Sequence, residues 1–223
     1  ARWTPKPPEG VPMCAIAADI AQGGDDQTVL APRYDGWYDR LKVTPGRLTP
    51  TGNEVAGLII ANRTHGADVV LDMGGGWGGQ TFMRLKDNNI EAQKYVGAEG
   101  STRRTKDGKL KFRNKRTQAY WQFREALDPG QQGGSPIALP PDDAELVADL
   151  TAPKYWVEAN GINITTKEDV CEMIGRSPDK GDAVVMAWMS GARGLYTPKD
   201  IERYEQGRGR ASRPPVLRKT LGA

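Results

Sequence analysis

The chain has 223 residues, 38% hydrophobic and 26% charged, with a net charge of +3 and a mean hydropathy of −0.61. That balance suits one good-sized α/β domain, or two small ones, with a proper core, and no apolar run approaches the roughly 20 residues of a membrane span. With one histidine and two cysteines, histidine-dependent triads and most zinc or copper sites all rest on His65, and Cys14 and Cys171, each alone in an apolar stretch, read as buried free thiols of a reducing cytoplasm.

Residues 1–10 are Pro-rich with no apolar signal core, and are expected to form an extended lead-in. The run Met13 to Ile20 (MCAIAADI) is apolar on both faces, as in a central strand buried on two sides. Gln27 to Arg33 reads as a second strand, Asp35-Gly36 as a hairpin turn and Trp37 to Val43 as a third strand, together an antiparallel meander. In the turn before the second strand, Asp25 and Asp26 are read as turn formers.

Asn53 to Asn62 has helical spacing at Val55, Leu58 and Ile59, with Thr51 or Asn53 as cap. His65 follows at the end of this helix, where a cationic or hydrogen-bonding side chain is common. Ala67 to Leu71 is a short strand running into Asp72 and the glycine cluster 74–79. A helix over Gln80 to Asp87 and a strand over Ile90 to Val96 follow. The run 103–113 reads as a basic hairpin with Asp107-Gly108 at its tip, or otherwise as a solvated loop. Asn114 to Leu127 is the clearest amphipathic helix, with Ala119, Tyr120, Phe123 and Leu127 on one face. Asp142 to Leu150 is a further helix, Tyr155 to Ala159 and Ile162 to Thr166 are strands around Asn160-Gly161, and Lys167 to Ile174 and Pro178 to Met189 are helices. After about Gly191 the pattern stops, apart from a short helix over Pro198 to Tyr204; the tail has the composition of a disordered basic segment. Three antiparallel strands, then helix, strand, helix, strand and further helices are the element order of a ribonuclease H-like α/β fold.

Charge is unevenly placed. Residues 193–223 carry eight Lys or Arg against three Asp or Glu, and residues 99–116 eight against two, which leaves the rest of the chain acidic. A carboxylate site beside phosphate-binding segments fits that distribution. Asp19 and Asp72 each end an apolar strand, and Asp179 and Asp182 lie three apart at the start of a helix. Charges at the ends of buried strands are costly without a cation or partner, and open sheets gather ligands at the carboxyl ends of their strands. Such an oxygen-rich set suits Mg²⁺ or Mn²⁺. Two ions about 4 Å apart could activate water on one side of a phosphodiester and stabilise the leaving oxygen on the other. Asp179 alone could equally serve the helix dipole. Gly74, Gly75 and Gly76 could let backbone amides approach phosphate, or form only a flexible turn. Arg103, Arg104, Lys106, Lys109, Lys111, Arg113, Lys115 and Arg116 are the candidate DNA-binding residues, through sequence-independent phosphate contacts.

Four segments carry a family resemblance. Residues 17–28 (AADIAQGGDDQT) and 70–76 (VLDMGGG) resemble the first and second nuclease motifs of tailed-phage terminase large subunits. Residues 114–125 (NKRTQAYWQFRE) are similar to that family's Asn-x-Arg-Ala helix, and residues 175–183 (GRSPDKGDA) to its closing motif. The resemblance implies a two-metal endonuclease that cuts concatemeric double-stranded viral DNA during packaging, with Asp19, Asp72 and Asp182 as metal ligands and Asp179 as second choice or in support. It implies a nuclease domain over 11–192, a lead-in over 1–10 from an ATPase domain absent here (there is no Walker A pattern), and a basic tail over 193–223. Implied partners are the ATPase domain, the portal protein and the small terminase subunit, in the host cytoplasm and without a membrane. Gly181 departs from the pattern, where Ala is expected, and is read as loosening the helix start. The alternatives are a resolvase-type nuclease of the same fold, or a portal- or DNA-docking module with a vestigial site.

Overall fold

A computed structural model describes residues 3–21, 23, 26–131, 134–191 and 193. Asp25, the helix expected over 198–204 and nearly all of the basic tail lie outside the described residues.

The central strand forms where its two-sided apolar character places it. β1 (Ala15–Asp19) is buried at every position. It pairs antiparallel with β2 (Gln27–Tyr34) on one side and parallel with β5 (Asp68–Asp72) on the other. β6 (Ala92–Tyr95) extends the sheet in parallel beyond β5. The expected third strand is split into β3 (Trp37–Tyr38) and β4 (Lys42–Pro45), both antiparallel to β2. The register slips by one residue between them, from Arg33↔Tyr38 to Leu30↔Lys42. Pro32 of β2 has no N–H to offer at the break, and its carbonyl accepts the Asp39 N–H at 3.1 Å. A proline inside a ladder forces such an interruption. The six-stranded mixed sheet otherwise has the expected order, antiparallel first and parallel after.

Strand alternation sorts the side chains into two cores. Ile16, Ala18, Leu30, Val69 and Leu71 face one side. There α1 (Gly52–Asn62) and α2 (Gly78–Asp87) cover them, with Val55, Ile59 and Leu85 fully buried. Ala17, Val29 and Val70 face the other side, under α3 (Lys115–Leu127), α4 (Ala144–Thr151) and α6 (Asp179–Trp188). α6 lies against β1 and β2 with nine of its residues buried, so its amino end is carried over the carboxyl end of β1. α1 is capped by Thr51, in a full capping box with Glu54, rather than by Asn53. His65 lies beyond that helix instead of in its last turn: Arg63 is the C-cap, and His65 has φ 55° with its Nδ1 2.9 Å from Thr64 Oγ1. Cys14 and Cys171 are half-buried rather than fully buried.

β7 (Tyr155–Glu158) and β8 (Gly161–Ile164) form a separate two-stranded hairpin, followed by α5 (Lys167–Ile174). β8 anchors it to the basic segment, where Ile162 N–H donates to Lys111 O and Arg113 N–H to Ile162 O. Within that basic segment Arg104 bridges Lys111 beneath a turn at Asp107-Gly108, and Phe112 bridges Ile162 of β8. Residues 3–10 lie partly against β3, where Trp3 stacks on Trp37 at 5.9 Å and donates to Tyr38 O.

Candidate metal centre

β1 and β5 are parallel neighbours, so their carboxyl ends emerge together and bring Asp19 and Asp72 to one edge of the sheet. The first turn of α6 supplies Asp179 and Asp182, and all four carboxylates line a cleft of about 750 Å³. Gln27 N–H, at the start of β2, donates to Asp179 Oδ2 at 3.4 Å and ties the helix to the sheet.

At the centre stands a residue that the sequence did not single out. Lys167 Nζ lies 3.2 Å from Asp19 Oδ2, 3.2 Å from Asp182 Oδ2 and 3.7 Å from Asp179 Oδ1. Three carboxylates, one from β1 and two from the first turn of α6, thus converge on one nitrogen. Burial alone would lower the Lys167 pKa, but Asp19, Asp182, Asp179 and Asp72 outweigh it and hold the ammonium above the ordinary lysine value. Burial pushes the Asp19 carboxyl well up, against the pull of Lys167, and the other three carboxylates push it further. Asp72 is raised by burial, countered by the Gly74 N–H and Lys167. Asp179 is likewise raised by burial, countered by the Ser177 hydroxyl. Four carboxylates therefore share the cations of Lys167 and Arg116, the latter 3.7 Å from Asp182.

A second layer fixes Asp182. The Tyr120 hydroxyl donates to Asp182 Oδ1 at 2.7 Å, and the Arg116 guanidinium lies over the Tyr120 ring, 4.7 Å from its centroid. Arg116 also donates to Thr165 O at 2.7 Å. Asp149, fully buried on α4, accepts the Gly181 N–H at 3.0 Å and pairs with Arg176 at 2.6 Å. Gly181 is thereby explained, and the expectation that it loosens the helix is corrected. A Cβ there would stand 2.6 Å from the Asp149 Cβ, so glycine permits the close packing of α4 on α6 that seats the carboxylates.

Of the three glycines, Gly74 and Gly75 line the cleft and Gly76 does not. The Gly74 N–H, however, donates to Asp72 Oδ1 at 2.9 Å and orients that carboxylate. Of the eight basic candidates, Arg113 and Arg116 line the cleft. The others lie away from the lining: Lys115 pairs with Glu99, Lys106 with Glu125 and Lys109 with Asp107, Arg104 bonds the carbonyls of its own turn, and Arg103 and Lys111 are exposed.

All-oxygen carboxylate donors match a hard divalent cation, and the surplus of buried negative charge over Lys167 and Arg116 leaves room for more positive charge. Among the described residues no group of three acidic, histidine or cysteine side chains is already closed around a metal position. Lys167 Nζ stands between three of the carboxylates instead.

Two signals in the sequence pointed to these supporting residues. Lys167 follows the N-cap Thr166, at the positive end of the α5 dipole, where a cation is unfavourable unless something offsets it. Tyr120 read only as part of an apolar face, although a buried tyrosine hydroxyl needs a partner.

No protein-family model matches the chain, and no curated protein sequence is similar to it. Solved structures are. The nuclease domain of the large terminase subunit gp2 of bacterial virus Sf6 superposes with a TM-score of 0.61 at 20% identity, over 78% of this chain and 87% of that one. A mutant gp2c of the large terminase subunit from bacteriophage Sf6, with calcium, gives 0.60 at 22% identity over the same shares. The large terminase nuclease from thermophilic phage G20c, with bound cobalt, gives 0.50 at 16% identity over 84% of each chain. The chain shares its fold with these phage large-terminase nuclease domains.

Proposed function

We propose that the chain is a metal-dependent endonuclease that cuts concatemeric double-stranded viral DNA during genome packaging. The convergence of Asp19, Asp179 and Asp182 on Lys167 Nζ, with Asp72 beside them, carries the reading. The likeness to terminase nucleases bound to calcium and cobalt supports it. Asp19, Asp72 and Asp182 would hold Mg²⁺ or Mn²⁺, with Asp179 as a further ligand or support. Two such ions would supply an activated water and charge neutralisation at the leaving oxygen. The chain's own residues do the rest. Tyr120 and Arg116 hold Asp182 in one orientation, Gly74 N–H does the same for Asp72, and Lys167 offsets the carboxylates in the resting site. Arg113, exposed at the cleft, would bind backbone phosphate, and the outer basic turn would add a salt-sensitive attraction. A companion ATPase domain, a portal protein and a small terminase subunit would present the DNA.

The ammonium within the carboxylate set favours a second reading, a DNA-docking module whose site is neutralised by lysine and no longer cuts. Nicking of supercoiled plasmid separates the two. We expect cutting in Mg²⁺ or Mn²⁺, none in EDTA, and a fall of at least about 100-fold in Asp19→Asn, the upper end for disturbing a metal's supporting groups. DNA binding without cutting under any divalent metal would leave the docking module and overturn the nuclease.

A further inference from the structure

Tryptophan is costly to leave in water and is usually well buried. Four of the tryptophans follow that rule by pairing with another ring: Trp3 with Trp37, Trp121 with Tyr155 at 5.0 Å, and Trp188 with Phe123 at 6.3 Å. Trp77 and Trp156 do not. They are 49% and 42% exposed, and both line the carboxylate cleft.

Each is held in place by its edge. Trp156 is cross-strand partner to Asn163 in the β7–β8 hairpin. Its Nε1 donates to Glu158 Oε1 at 2.7 Å, Glu158 Oε2 accepts from Asn163 at 3.1 Å, and Asn163 Oδ1 accepts from Arg113 at 3.3 Å. The indole's one polar group is satisfied locally, and Arg113 is tied to the same hydrogen-bonded chain through Asn163. Strand alternation sends Tyr155 to the opposite face of the hairpin, against Trp121 and Arg124. Trp77 leaves the glycine cluster next to Asp72. Its ring lies so close over Gly75 (φ 65°) that a Cβ there would meet Cδ1 and Nε1 at 3.1 Å. Bare glycine forms the shelf beneath it.

We propose that Trp77 and Trp156 are stacking sites for nucleobases at the cleft, and hence that the strand delivered to the carboxylates is locally unpaired DNA. Every base has a π-face that an indole can cover, but within a duplex those faces are buried on neighbouring bases. A guanidinium and an aromatic ring lining one cleft, as Arg113 and Trp156 do, suit a nucleotide whose phosphate and base are held together. The inference rests on the reading that DNA enters this cleft, and it narrows the substrate to gapped, frayed or melted segments.

The test is fluorescence anisotropy in EDTA with a fluorescein-labelled oligodeoxythymidine and with a blunt matched duplex. Trp77→Ala and Trp156→Ala should each weaken single-strand binding by about 5- to 150-fold, the range for losing one base–aromatic stack. Duplex binding should change by less than about twofold, with an unaltered salt slope, and Trp→Tyr variants should recover most of the loss. Both side chains lie on the surface, and a circular dichroism spectrum matching the unsubstituted chain confirms folding. Single-strand binding unchanged in both alanine variants, or equal losses on both DNAs, overturns the proposal. Because binding is read without metal, a chain that binds this way and never cuts sinks the nuclease reading alone. A chain that cuts plasmid while its tryptophan variants bind single strands normally sinks this one alone.

Discussion

Replacing Lys167 with methionine removes the ammonium from three carboxylates at 3.2–3.7 Å while keeping an unbranched chain of similar length. Taking one partner from a buried ion group costs about 3–5 kcal/mol because the remaining charges stay uncompensated. The Lys167 side chain is 33% exposed, so solvent screening reduces that to about 1–3 kcal/mol. For a domain of this size each kcal/mol moves Tm by about 2–4 °C, so Lys167→Met should melt about 2–12 °C below the unsubstituted chain in EDTA. Divalent metal should then raise the variant's Tm by more than that of the unsubstituted chain, because the ion no longer displaces an ammonium and binding to the folded state stabilises it. Differential scanning fluorimetry in EDTA, Mg²⁺ and Mn²⁺ reads both effects. A variant that melts at or above the parent in EDTA, or gains no more from metal, refutes the idea that Lys167 stands in for the missing positive charge.

Two further substitutions probe the groups that seat the carboxylates. Gly181→Ala places a Cβ 2.6 Å from the Asp149 Cβ, and overpacking of that kind costs about 1–3 kcal/mol; the urea midpoint should fall, and an unchanged midpoint would show that α4 and α6 separate freely. Tyr120→Phe removes the donor to Asp182 Oδ1, and loss of a group supporting a metal ligand should raise the Mg²⁺ needed for half-maximal plasmid nicking by about 10- to 100-fold; an unchanged requirement would place Asp182 outside the metal set.

Much of this molecule is legible along the chain. The buried β1, the strand ending at Asp72 and the amphipathic α3 follow from periodicity, because a residue's face depends on its own neighbours and little else. The split of the third strand was hidden, since it arises opposite Pro32 in a different strand. The bridge from the basic segment to β8 was hidden too, because the segment's turn chemistry is local while its backing comes from a distant strand.

The four carboxylates could be named from their places at strand and helix ends, which are local features. Their meeting point could not. Lys167 lies 148 residues from Asp19 in sequence, and nothing near it announces a half-buried ammonium except an unfavourable place on its helix dipole. Asp149 and Gly181 look unremarkable singly and make sense only as a pair in contact. Local pattern settles which residues are costly to bury; the company that makes burial tolerable comes from chain segments far apart, and that pairing exists only once the sheet and α6 are packed.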